Sequence, residues 1–158
     1  MSGAPHPAWP DVEIRDLSRE QVIANLAALL AIGSDVDGEY WMREHFLRDL
    51  PGKWSLSFAA WSGDALLGYA ILSARDAASA HLHHFMVRRA HRRLGLGTLM
   101  IGEMERRVRA SGYGRLTLKV SERNLGAQRL YQRRGYDVAR SDGSFLVLEK
   151  RLGSPEEQ

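Results

Sequence analysis

Three groups of residues in this 158-residue chain have types and spacings suited to chemistry. The first is His81-Leu-His-His84. Histidine titrates near pH 6.5, so it suits a base at neutral pH. On a regular strand His81 and His83 share one face and His84 takes the other, an alternation that a bulge would alter. His-x-His on a strand can also hold zinc, but the sequence places no third ligand. The plain alternative is that these histidines line or pack the strand. The second group is Val87-Arg-Arg-Ala-His-Arg-Arg-Leu-Gly-Leu-Gly-Thr98. A strand ends, basic residues follow, and Gly95 and Gly97 fall where a helix begins. Glycines there let the backbone turn tightly and approach a ligand closely. The first amides of the helix are unpaired and carry partial positive charge, which makes an anion site. Arg92 and Arg93 would add charge-assisted bonds. A dinucleotide fingerprint would need glycine where Met100 stands, and a Walker loop would need Gly-Lys where Gly97-Thr98 stands. A plain strand-to-helix turn is the competing reading. The third group is Glu39, Tyr40, Trp41 and Glu44, which can hold a cation between carboxylates and rings, or can be core plus solvated face of a helix.

The elements that must position these groups follow from periodicity. Val12 to Arg15 alternates as a strand, and Ser18 caps a helix whose apolar residues Val22, Ile23, Leu26, Leu29 and Leu30 run to Gly33. A second helix is predicted over Asp37 to Leu50, stopped by Pro51-Gly52. Trp54 to Trp61 and Ala65 to Leu72 read as a hairpin around Ser62-Gly63-Asp64. His81 to Val87 is a strand. Leu96, Leu99, Met100, Met104 and Val108 form one face of a helix closed by Gly112. Leu116, Leu118 and Val120 alternate as a strand. Ala127, Leu130, Tyr131 and Arg134 share one side of a helix ending at Gly135. Tyr136 to Arg140 and Phe145 to Leu152 form a last hairpin. Hairpins combined with two crossovers mean a mixed sheet with helices on its faces. Residues 11–152 are read as one domain, with a loose arm at 1–10 and a tail at 153–158.

Composition narrows the class. At 44% hydrophobic and 26% charged the chain suits a soluble globular domain. It has no cysteine, which excludes a disulfide scaffold, cysteine-ligated metal and a thiol nucleophile. No basic stretch precedes an apolar run at the start, and no stretch suits a bilayer, so the expectation is a cytoplasmic protein with no membrane partner. Residues 1–80 hold 6 Lys/Arg and 11 Asp/Glu, and residues 81–158 hold 16 and 8. The basic half suits an anionic partner, and the acidic half suits a cationic one. Arginines 88, 89, 92, 93, 106, 107 and 109 would also serve a nucleic-acid binder, but no groove-reading motif accompanies them, and no nucleic-acid partner is expected.

Arg92-x-x-Gly95-x-Gly97 after a strand ending in Val87 resembles the acetyl-CoA loop of the GNAT superfamily of N-acetyltransferases. Asn124 and Ala127-Gln-Arg-Leu-Tyr131-Gln-Arg-Arg-Gly-Tyr136 resemble that family's next helix and strand. The likeness covers about 81–138, and the element order extends it over 11–152. It implies an α/β (α+β) fold with a mixed, mostly antiparallel sheet of about seven strands. Helices would cover both faces, and strands 81–87 and 115–121 would splay to admit CoA. The pantetheine arm would bond the backbone of Phe85, Met86 and Val87. The pyrophosphate would sit on amides from Arg92 through Arg93, Leu94, Gly95, Leu96 and Gly97 to Thr98, and Asn124 would hold a pantetheine amide or cap its helix.

Ala80-His-Leu-His83 also resembles the matching strand of arylalkylamine N-acetyltransferases, which implies His83 first and His81 second as the base. Tyr131 matches the family's tyrosine near the CoA sulfur, and a phenol of pKa ~10 can protonate a thiolate whose thiol lies near ~8.5. The expected activity is direct acetyl transfer from acetyl-CoA, without a metal, to a small primary amine such as an arylalkylamine, aminosugar, polyamine or amino acid. Three alternatives stay open: a protein N-terminus, a protein lysine, and a CoA-binding regulatory module without turnover. The last stretch resembles ribosomal-protein N-acetyltransferases, which keeps a peptide acceptor in view. A homodimer is compatible with the sequence.

Overall fold

The computed structural model describes residues 11–34, 41–92 and 94–153. Seven strands form one sheet: β1 (Glu13–Asp16), β2 (Phe58–Ser62), β3 (Ala65–Ala74), β4 (Ser79–Val87), β5 (Arg115–Ser121), β6 (Asp137–Asp142) and β7 (Phe145–Arg151). Their order is β1-β2-β3-β4-β5-β7-β6, and only β4 and β5 are parallel neighbours. The parallel pair needs a long crossover, which α5 (Leu96–Ala110) supplies, while α6 (Leu125–Arg133) links β5 to β6. Leu96, Met100, Met104 and Val108 of α5 are wholly buried against Leu116 and Leu118 of β5. The opposite face of the sheet packs on α1 (Arg19–Ala24), α2 (Leu26–Gly33) and α3 (Arg43–Leu47) through Val22, Leu29 and Phe46. The mixed, mostly antiparallel sheet with helices on both faces is therefore the observed fold.

Three expectations change in the N-terminal half. The first predicted helix is two, because Asn25 breaks it. The Asn25 side-chain amide donates to the Gln21 carbonyl at 2.8 Å, a local bond that competes with helix continuation. Ser18 does cap α1, its hydroxyl accepting from the Gln21 amide at 3.2 Å. The second predicted helix is shorter: α3 covers only Arg43–Leu47, and residues 37–40 lie outside the described residues. The expected strand from Trp54 begins at Phe58 instead, because Lys53–Leu56 form one helical turn, α4, entered through Gly52 at φ 71°.

Lys53 explains that turn. It is 0% exposed, and its ammonium donates to the carbonyls of Arg48 (2.6 Å), Phe46 (2.7 Å) and His45 (3.2 Å) at the end of α3. Burial pulls the group down to about 8, and the three carbonyls favour its protonated form. Replacing Lys53 with methionine leaves those carbonyls without their donor. At about 1 kcal/mol each, the loss should be about 3 kcal/mol of stability by urea unfolding. A loss below about 1 kcal/mol would mean that the ammonium does not tie α3 to α4.

Two irregularities in β4 shape everything that follows. Pairing with β5 runs from Ser79 opposite Arg115 to Leu82 opposite Leu118 and stops there. Against β3, Leu72 pairs with Leu82 and Ile71 pairs with His84, so His83 is the extra residue of a bulge. The bulge resets the alternation. Ala80 and Leu82 before it, and Phe85 and Val87 after it, all pack toward α5 and α6.

Candidate active site

Where β4 and β5 part, a cleft of about 550 Å³ opens between them. Its walls include Phe85, Met86 and Val87 of β4, Leu118, Lys119 and Val120 of β5, and Asn124 and Tyr131 around α6. It reaches the other face of the sheet at His83, His84 and Trp41. Among the described residues the β4 edge facing β5 has no strand partner from His83 onward, because β5 pairs no further than Leu82. Backbone groups along that edge can meet an extended ligand that carries amides of its own, while the Val87 carbonyl at its end accepts from Arg92.

At one end of the cleft, α5 starts on Gly95 in the left-handed region (φ 90°), with no side-chain cap and no acidic residue in its first turn. Its first amides are therefore open to an anion. Gly97 and Arg92 line the cleft, and the Arg92 Nε donates to the Val87 carbonyl at 2.9 Å, which ties the basic loop to the end of β4. Leu96 is wholly buried and anchors the helix to the core, so only its amide is available there. Leu94 and Thr98 are exposed and do not line the cleft, and Arg93 lies outside the described residues. The unpaired strand edge and this uncapped helix start suit the two parts of CoA, a diamide arm and a pyrophosphate.

Asn124 caps α6, its Oδ1 accepting from the Ala127 amide at 3.1 Å, and it also lines the cleft. Tyr131 is 7% exposed, lines the cleft, and packs edge-on against Tyr136 with ring centroids 5.5 Å apart.

The histidines occupy the opposite mouth. His83 lines the cleft with its edge exposed, and its Nε2 lies 2.6 Å from the Ser73 hydroxyl on β3. His81 sits behind it, outside the cleft lining, with ring centroids 4.9 Å apart and Nδ1 2.7 Å from the Thr117 hydroxyl on β5. His84 is the unexpected member. The bulge brings it to the α1–α3 face, where it is 6% exposed and stacked on Trp41 at 4.8 Å. All three are held neutral at pH 7. Burial, then His83, Arg75 and Lys119, pulls His81 to about 4. Burial, then Lys53 and Arg48, lowers His83. Burial, then His45, pulls His84 to about 4. The charges nearest the pair are thus cations, although the first half of the chain is acidic overall.

The structure thus brings together His83, Tyr131, Phe85, Met86, Val87, Arg92, Gly97, Asn124 and Trp41 around one cleft. Glu44 is exposed on α3 and outside the lining, and Glu39 and Tyr40 lie outside the described residues. Sequence reasoning missed His84, Ser73, Thr117 and Phe145. The bulge decides the first, and strand register decides the next two. Among the described residues no group of three or more His, Asp or Glu side chains could hold a metal ion, and no helix is long and apolar enough to cross a membrane.

A family model described as the acetyltransferase (GNAT) family matches residues 21–136. No curated protein matches the chain. Among solved structures, Ard1 from Thermoplasma volcanium is 20% identical with a TM-score of 0.78, over 91% of this chain and 99% of that one. The ribosomal-protein-S18-alanine N-acetyltransferase from Escherichia coli is 18% identical with a TM-score of 0.76, over 90% and 94%. The paia N-acetyltransferase from Thermoplasma acidophilum, solved with coenzyme A, is 22% identical with a TM-score of 0.71, over 89% and 98%. The likeness to all three is one of fold.

Proposed function

The chain belongs to the acetyltransferase (GNAT) family of acetyl-CoA-dependent enzymes acting on amino groups, and from that premise we propose direct acetyl transfer to a small primary amine. The observation that carries this reading is the cleft itself, which joins an uncapped helix start and Tyr131 on one face of the sheet to His83 and Trp41 on the other. In this reading the amides of Arg92 to Thr98 take the pyrophosphate, and the β4 edge from Phe85 to Val87 takes the pantetheine arm. Asn124 stands beside that arm.

The amine enters at the Trp41 end. An alkylamine of pKa ~10.4 arrives as ammonium and must shed a proton before it can attack. Its nitrogen then bonds to the thioester carbonyl carbon, the C–S bond breaks, and a second proton leaves the nitrogen. His83, with His81 behind it, accepts protons on that side, and the Tyr131 hydroxyl protonates the departing thiolate. The Trp41–His84 stack narrows the acceptor mouth, which favours a small body with apolar surface. A peptide N-terminus is the second reading, supported by the fold shared with the ribosomal-protein enzyme.

Acetyl-CoA at a hundred times its Kd should add about 2.7 kcal/mol of stability. For a domain of this size that raises Tm by roughly 5–11 °C. Thiol release should follow with small amines, and not with alanine-terminated peptides at equal concentration. Release with the peptides alone would transfer the assignment to protein N-termini. No thermal rise would remove the donor site.

A further inference from the structure

We propose that two buried hydroxyls, Ser73 on β3 and Thr117 on β5, are positioning residues for the histidine pair, and that Thr117 holds His81 with its proton on Nδ1 and its lone pair on Nε2. The inference rests on the reading of His83 and His81 as the proton acceptors.

The argument for Thr117 is one of hydrogen-bond supply. Its Oγ1 lies 2.7 Å from His81 Nδ1, 3.4 Å from the Ala80 carbonyl and 3.4 Å from Arg75 NH1. A hydroxyl has one proton and two lone pairs. The Ala80 carbonyl can only accept, so it takes the threonine proton. Arg75 can only donate, so it takes one lone pair. In this assignment the remaining lone pair faces His81, whose Nδ1 then carries hydrogen. The residue is 6% exposed, so water does not compete for these sites. It stands on the face of β5 opposite Leu116 and Leu118, and the parallel register sets it beside His81.

Ser73 does the matching work from the other side. It is 3% exposed and lies in register with His81 on β3, and its hydroxyl takes up Nε2 of the bulged His83 at 2.6 Å. The nitrogen left for the cleft is Nδ1. The two rings are thus held by opposite nitrogens, His81 presenting Nε2 and His83 presenting Nδ1. Without its hydroxyl each ring is free to flip or change tautomer, which moves the accepting nitrogen by more than an ångström.

The charged groups around the pair come from five elements, one of them Glu149 on β7, in register with Thr117. Arg75 in the β3–β4 turn and Lys119 on β5 face His81, and Lys119 is itself paired with Asp142 at 2.7 Å. Lys53 on α4 and Arg48 after α3 face His83, with Asp49 near Lys53. None of these carboxylates bonds either imidazole, so the two hydroxyls are the orienting groups.

The experiment is imidazole nitrogen NMR on the whole protein at pH 7.5, which reads tautomers directly, together with pH–rate profiles. Wild type should show His81 as the Nδ1–H tautomer, and Thr117→Val should shift it toward Nε2–H. Thr117→Ser should restore the wild-type signal. Ser73→Ala should lower kcat 5- to 20-fold with KM within twofold, and should move the acidic limb of the profile. A wild-type His81 in the Nε2–H form, or a Thr117→Val spectrum identical to wild type, would overturn the assignment of Thr117. An unchanged profile in Ser73→Ala would remove Ser73. A His83→Ala enzyme with an unaltered profile would instead sink the base reading, and the NMR result would stand apart from it.

Discussion

Replacing Tyr131 with phenylalanine is expected to lower kcat by roughly 10²–10³-fold, within the range that general acids contribute, while the KM for acetyl-CoA stays within about twofold. The substitution removes one oxygen and keeps the packing. Tyr131 is nearly buried, its ring rests edge-on against Tyr136, and Tyr136 is fixed in turn because its hydroxyl donates to Glu105 at 2.9 Å. Glu105 also accepts from Lys150 at 3.1 Å, so the support under Tyr131 is a hydrogen-bonded polar network. Phenylalanine can occupy the same rotamer on that support, and a stability change above about 1 kcal/mol is not expected. What is lost in the proposed mechanism is the phenol O–H that donates a proton to the leaving thiolate. The deficit should shrink when the acyl donor carries a more acidic thiol, because such a thiolate departs without help. Full turnover with acetyl-CoA would end the acid assignment. A loss of the same size with every donor would point to packing instead.

The parts of this site that were legible in the sequence are those set by periodicity within one element. The α5 stripe of Leu96, Met100, Met104 and Val108, and the alternation of Leu116, Leu118 and Val120, face a single core, so their spacing maps directly onto burial. Gly95 and Gly97 were legible for a related reason, because a strand, a basic loop and a helix start are local signals. The histidines were legible as chemistry but not as geometry. Strict alternation sends His84 away from His81, and only the pairing of β3 with β4 shows that His83 is extra. A bulge belongs to two strands, and one strand's sequence does not record it.

Ser73 and Thr117 are hidden in the same way, since each reaches its histidine through register with a neighbour far along the chain. The N-terminal errors have another source. Trp54 to Trp61 is apolar enough to read as strand throughout, yet the ammonium of Lys53 folds its first residues into a helical turn by reaching back to α3. Trp41 reads from the sequence as part of a helix, but it stands in the segment just before α3, stacked on a histidine that strict alternation puts on the other face.

Gly97→Leu should cost at least 100-fold in acetyl-CoA affinity, about 2.7 kcal/mol, with no loss of fold. A Cβ at Gly97 would meet only the Phe85 ring edge, at 3.9 Å, an ordinary contact. The protein itself therefore leaves room for a side chain, and that room is part of the cleft. Gly97 is the second residue of α5, and its φ is not in the left-handed region, so leucine fits the helix and should hold or raise stability by up to ~1 kcal/mol. Neither packing nor backbone strain requires glycine at this position, and the proposed approach of the pyrophosphate to the first amides of the helix would.

Gly95 makes the control. Its φ of 90° strains any L-residue, so Gly95→Ala should lose about 1–2 kcal/mol of stability, whatever it does to binding. Calorimetric titration with acetyl-CoA and urea unfolding of the two variants separate the effects. One substitution should reduce affinity at unchanged stability, and the other should reduce stability first. If Gly97→Leu bound acetyl-CoA within threefold of wild type, the pyrophosphate could not lie on α5, because a leucine there would fill the approach to those amides.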